Sequence, residues 1–204
     1  MLRRPLFAVV LVSLIGLAGC AQYNRLVGKE GPEPIDPIGL LAVMPIDADT
    51  TNPVVAADAG KVVTAEIYGV ISDSPTWRFV PDLTVSDQMT ELSPLDEPAV
   101  RALKLGKAVN ADSVLFGEVS RFTERVGSEY GASSPAAVSI SLKLVSVSRK
   151  KIVWHGEFNE TQESLSENLL NFWQFWRGGP KWFSAREFAH LGVERLLEDL
   201  QSQY

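Results

Sequence analysis

The chain has 204 residues, a formal net charge of −6, one cysteine and two histidines. An acidic chain with no Lys/Arg cluster lacks the stripe that neutralises phosphates in nucleic-acid binding, and it lacks the basic patch that docks on anionic lipid. One thiol cannot make a disulfide within the chain, so stability has to come from a packed core.

Met1–Arg4 carries two positive charges, and Leu6–Leu17 is nearly all apolar. A basic start, a short apolar run and small residues after it describe a secretory leader. The run is too short for a spanning helix, which needs about 20 apolar residues. It ends in Leu17-Ala18-Gly19-Cys20, which resembles the lipobox of bacterial lipoproteins. The resemblance implies cleavage after Gly19 and acylation of the Cys20 thiol, with palmitate-type chains. Two or three such chains anchor stably where one is marginal. Ala21, in place of Asp, points by the sorting rule of known lipoproteins to the periplasmic side of the outer membrane rather than to the inner membrane. Removing residues 1–19 leaves 185 residues and a charge of −8, because Arg3 and Arg4 go with the leader. The expected division is a leader over 1–19, a lipidated N-terminus and linker over 20–36, and one periplasmic domain over 37–204. Gly28, Gly31, Pro32 and Pro34 mark the linker, whose sixteen residues from Ala21 reach at most roughly 55 Å.

Ile38–Ile46, "IGLLAVMPI", is a continuous apolar run and reads as a strand buried on both faces. Asn52-Pro53 reads as an N-cap with proline at the first helical position. Val55, Ala59, Val63, Ile67, Val70 and Ile71 then recur at helical spacing, and "SDSP" ends that helix. Trp77–Val80 reads as a second strand. Asp96 is placed to cap a helix over Glu97–Val109, with Asn110 as its left-handed stop. Ser113–Arg125 reads as a strand. Val138, Ile140, Leu142 and Leu144 alternate with polar residues, and Ile152, Trp154 and Phe158 repeat the pattern after the turn "SRKK". Leu165, Leu169, Phe172, Trp173 and Trp176 form one helical stripe, which "RGGP" breaks. Ser184 with Glu187 forms a capping box, and Phe183 with Phe188 a hydrophobic staple, for a last helix striped by Ala189, Val193, Leu196, Leu197 and Leu200. The predicted fold is α/β, a small sandwich of a mixed sheet in the order β-α-β-α-β-β-β with helices packed on it and two C-terminal helices.

"LLAVMPI", "GKAVNADSVLFGEVSRF" and "VSISLKLVSVSRKKIVWHGEF" are similar to a recurring lipoprotein pattern over about residues 37–160. The superfamily contains the penicillin-binding-protein activator lipoproteins, the curli secretion channel lipoprotein and the N-terminal domain of the Tol–Pal β-propeller protein. The likeness implies a small α/β sandwich whose relatives bind protein partners rather than catalyse. Arg149, Lys150 and Lys151 stand where that pattern usually has an Asp/Gly turn.

No catalytic residue set, metal site or cofactor motif emerges. His155 and His190 stand apart in sequence without an acidic or thiol neighbour that would complete a metal site. No G-x-S-x-G occurs, and Gly60-Lys61 and Gly106-Lys107 lack the remainder of a P-loop. Two segments have binding character. "GSEYGASSP", Gly127–Pro135, is either a mobile connection or a binding loop anchored by Tyr130. "NFWQFWRGGPKWF", Asn171–Phe183, holds three of the five tryptophans. Trp173 and Trp176 fit core packing, while Trp182 falls after the glycine break, where a partner-binding role competes with packing. The function these features imply is a membrane-anchored, non-catalytic envelope module that binds an unidentified envelope protein, with oligomerisation left open. The alternatives are a peptidoglycan-synthase activator and an oligomeric secretion-channel component.

Overall fold

The structure, a computed structural model, describes residues 35–162 and 182–203. The predicted lipobox, most of the linker and the first C-terminal helical stripe lie outside the described residues. The unit that holds the described residues begins at Ile35, which is buried in the core.

Five strands build the main sheet. β1 (Leu41–Val43) and β2 (Asp47–Ala48) both run parallel to β3 (Ser113–Thr123). β3 pairs antiparallel with β6 (Ala137–Ser146), which pairs antiparallel with β7 (Lys151–Thr161). The meander read from alternation is present, with Leu115 opposite Leu144 and Leu142 opposite Gly156. Between β2 and β3 come α1 (Ala59–Asp73), α2 (Asp82–Met89) and α3 (Pro98–Ala108). Between β3 and β6, β4 (Val126–Ser128) and β5 (Gly131–Ser134) make a separate two-stranded hairpin. α4 (Ala185–Gln201) follows last.

Period-2 alternation sends side chains to two faces, and helices cover both. On one face Leu115, Val119, Ile140, Leu142, Leu144, Trp154 and Phe158 pack against Val63, Ile67 and Ile71 of α1 and Val193, Leu197 and Leu200 of α4. On the other, Ala42, Met44, Val114, Phe116 and Val145 pack against Val85 of α2 and Ala102 and Leu105 of α3. β1 is therefore fully buried on both sides, as its unbroken apolar run requires. The second helical layer covers only part of its face. Beyond Phe116 that face carries Glu118, Ser120, Ser141, His155, Glu157 and Asn159, and all of these but Ser141 are exposed.

Several sequence expectations are corrected. The first helix begins at Ala59, not after Asn52-Pro53. The Asn52 side chain instead accepts from the Val54 amide at 3.2 Å and donates to the Ser120 carbonyl at 3.0 Å, closing a turn and tying it to β3. Trp77–Val80 makes one parallel bridge, Phe79 to Leu41, rather than a strand. α2 was not foreseen, since Val85 is its one buried residue and leaves no apolar stripe to read. Asp96 does not cap α3; it pairs with Lys104 at 2.6 Å, while Glu97 takes the cap position. Asn110 does take a left-handed conformation, φ 56°, as does Lys150, φ 55°, which closes the β6–β7 turn without a glycine.

Candidate functional site

Tyr130 and Trp182, singled out 52 positions apart in the sequence, meet at one corner of the domain. The hairpin β4–β5 projects from the ends of β3 and β6, with Tyr130 at its tip. Tyr130 is 80% exposed and Val126 at the hairpin base is 59% exposed. Gly127 sits at φ +117°, where a Cβ would lie 2.5 Å from the Gly131 carbonyl oxygen, so only glycine lets the two short strands approach. The expectation of a mobile connection over Gly127–Pro135 is thus replaced by a hydrogen-bonded hairpin with a bulge.

Backbone groups lock Trp182 to this hairpin. Its amide donates to the Glu129 carbonyl at 2.6 Å, next to Tyr130. Its carbonyl accepts from the Arg125 guanidinium. The Phe183 amide donates to Oε1 of Gln162 at 2.8 Å, and the Gln162 amide donates to the Ala136 carbonyl at 2.9 Å. Immediately beyond, α4 starts with every feature read from the sequence. The Ser184 hydroxyl accepts from the Glu187 amide at 3.2 Å, Glu187 Oε2 accepts from the Ser184 amide at 2.9 Å, and the Phe183 and Phe188 rings stack at 6.4 Å. Glu124 adds what the sequence did not reveal: its carboxylate accepts from the Ala185 amide at 3.1 Å, placing negative charge at the helix N-terminus. The corner is rigid at its base and presents an amphipathic aromatic at its tip.

The histidines acquire partners that separation in the sequence concealed. His190 Nδ1 lies 2.9 Å from Glu66 Oε2, and Arg186 Nε donates to Glu66 Oε1 at 2.7 Å, so one buried carboxylate of α1 clamps two residues of α4. Glu194 adds a contact to His190 Nε2 at 3.5 Å. The expectation of histidines without acidic neighbours is therefore corrected. A signal existed in Glu66 itself, an acidic residue among Val63, Ile67 and Val70 on an apolar stripe, where it needs a partner. On the open part of the sheet, Ser141 Oγ lies 3.2 Å from His155 Nε2, and Glu157 Oε1 lies 3.2 Å from the same nitrogen. A nucleophilic triad needs its acid on the other ring nitrogen, where it orients the base. Here both partners share Nε2, and the group lies on an exposed strand, so this geometry does not activate Ser141. Among the described residues no group of three His, Cys, Asp or Glu side chains could hold a metal ion, and no helix is long and apolar enough to cross a membrane.

No protein-family model matches the chain, and no curated protein matches it in sequence. Solved structures do. A PelC dodecamer from Paraburkholderia phytofirmans aligns over 84% of this chain and 93% of that chain, with 19% identity and a TM-score of 0.51. The lipoprotein GNA1162 from Neisseria meningitidis aligns over 66% and 90%, with 19% identity and a TM-score of 0.46. The LpoB C-terminal domain from Escherichia coli aligns over 70% and 94%, with 21% identity and a TM-score of 0.43. At such identities the likeness to the PelC subunit is one of fold, and the other two are more distant.

Proposed function

We propose that this chain is a lipid-anchored envelope module that binds a protein partner and carries no catalytic activity. The observation that carries the reading is the hairpin corner. Tyr130 stands out on a base fixed by Trp182, Arg125 and Glu129, and a rigidly mounted, exposed aromatic is the commonest anchor of a protein–protein contact. The lipobox supports the location: acylated at Cys20, the domain would work at the periplasmic side of the outer membrane. The shared Nε2 geometry at His155 supports the non-catalytic part. A second reading, an oligomeric assembly such as a secretion-channel component, draws support from the dodecameric state of the PelC structure that shares the fold. The peptidoglycan-synthase activator reading has no separate observation behind it.

A photo-crosslinking residue at Tyr130 in the lipidated protein in cells tests the proposal. The expected result is one discrete adduct, lost when Trp182 is changed to Ala in a protein that remains folded. An adduct-free protein, or adducts only between copies of this chain, would overturn the partner reading, and the second outcome would favour the assembly.

A further inference from the structure

A different surface carries an inference independent of that corner. β7 ends the sheet: its inner edge pairs with β6, and among the described residues no strand lies on its outer edge. From Trp154 to Asn159 the strand alternates without interruption. Trp154 and Phe158 are buried in the core beneath the helices, while His155, Glu157 and Asn159 are exposed. The one register shift against β6 falls before this run, between Leu144 and Val145. The run has no Pro, Lys or bulge, the devices that usually blunt a free edge.

We propose that β7 pairs antiparallel with β7 of a second copy, about a two-fold axis at Gly156. Residues opposite one another in a sheet share a face, so in this run the axis has to pass through a residue rather than between two. An axis at Glu157 sets Glu157 against its own copy, and like charges directly opposite are unfavourable. An axis at His155 sets Glu157 against Val153 of the second copy, which offers its carboxylate no side-chain partner. The axis at Gly156 sets His155 against Glu157 of the second copy, twice, and Trp154 against Phe158 of the second copy, twice. It also places on the axis the one residue without a side chain. This self-complementarity is what selects a second copy over a foreign strand, because an isologous contact needs one patch that matches itself. His155 and Glu157 are already held on one face, 3.2 Å apart within the strand, so the four groups would form one alternating array.

Gly156 itself cannot report on the axis, since a Cβ there would lie 2.4 Å from the Trp154 ring. The test uses the full chain with Cys20→Ser, which removes the other thiol, and two exposed positions. Sedimentation equilibrium is expected to show a dimer. Glu157→Lys, facing His155 of the second copy twice, should weaken it by about tenfold or more, and His155→Glu with Glu157→Lys should restore it. Circular dichroism confirms that each variant is folded. The register is read separately: His155→Cys protein mixed with Glu157→Cys protein should oxidise to the mixed disulfide in preference to either homodisulfide. A monomer at every concentration, self-association indifferent to Glu157→Lys, or no preference for the mixed disulfide would each overturn the proposal.

Discussion

Leu142 and Ser141 are neighbours that face opposite ways. Leu142 is fully buried, whereas Ser141 turns to the open half of the sheet and meets His155. Leu142→Asp should unfold the domain at neutral pH, because an unpaired buried charge costs an appreciable fraction of a total stability of about 5–15 kcal/mol. Ser141→Asp should stay within about 0.5 kcal/mol. Urea titrations of the two variants check the strand phase, and similar midpoints would refute it. Tyr68 gives a pH signature. Its hydroxyl reaches the Val43 and Val80 carbonyls at 3.4 Å, tying α1 to β1 and to the bridge segment. Burial, and after it the carboxylate of Asp82, raises its pKa well above the ordinary tyrosine range. Folding thus favours the neutral phenol. That stability is complete below the unfolded pKa of about 10 and is lost as pH rises from there toward the folded value. Tyr68→Phe should flatten the fall in melting temperature above pH 10 relative to the unmodified chain, and parallel curves would show that Tyr68 is not its source.

At the scale of elements, the start of α4 combines local and distant support. Ser184→Ala removes the cap and should cost about 1 kcal/mol. Glu124→Gln retains an acceptor for the Ala185 amide but loses the charge at the helix N-terminus, so a smaller loss of about 0.3–1 kcal/mol is expected. Thermal melts of both variants at low and high salt separate the two contributions, since only the Glu124 effect should be screened. Trp182→Ala should leave the domain folded, because the contacts that fix this residue to Glu129 and Arg125 run through its backbone. A loss approaching the about 3–5 kcal/mol of a core tryptophan would place its ring in the core instead.

At the scale of the molecule, the sandwich is asymmetric. α1 and α4 cover one sheet face along its strands, while α2 and α3 cover part of the other and leave a polar remainder beside the β7 edge. The hairpin corner is a second, separate surface, as two modes of contact require. The proposed anchor at Cys20 would set where these surfaces are used. Mass spectrometry of membrane-extracted protein is expected to find a chain starting at an acylated Cys20, and Cys20→Ser should leave the leader attached. An intact N-terminus with an unmodified Cys20 would refute the lipoprotein reading.

What the sequence determined by itself is what local periodicity can encode. The alternation of β6, and of β7 from Trp154 onward, shows which side of each strand is buried, whereas Ile152, read with Trp154 and Phe158, is exposed because the register shift beside Val153 turns it outward. The unbroken apolar run of β1 shows burial on both sides, and Ser184, Glu187, Phe183 and Phe188 specify a helix start within six residues. The left-handed Asn110 was legible for the same reason. The tertiary structure decided what depends on segments far apart in the chain. Glu66 meets His190 across 124 positions and Glu124 meets Ala185 across 61, pairings that no window of sequence contains. Trp77–Val80 has strand-like residues, yet it makes only a single bridge, Phe79 to Leu41, on the edge of β1 away from β3. The meeting of Tyr130 with Trp182 belongs to this second kind. Each was visible as an aromatic without a place in a stripe, but the corner they share exists only because β3 and β7 end, and β6 starts, where α4 begins.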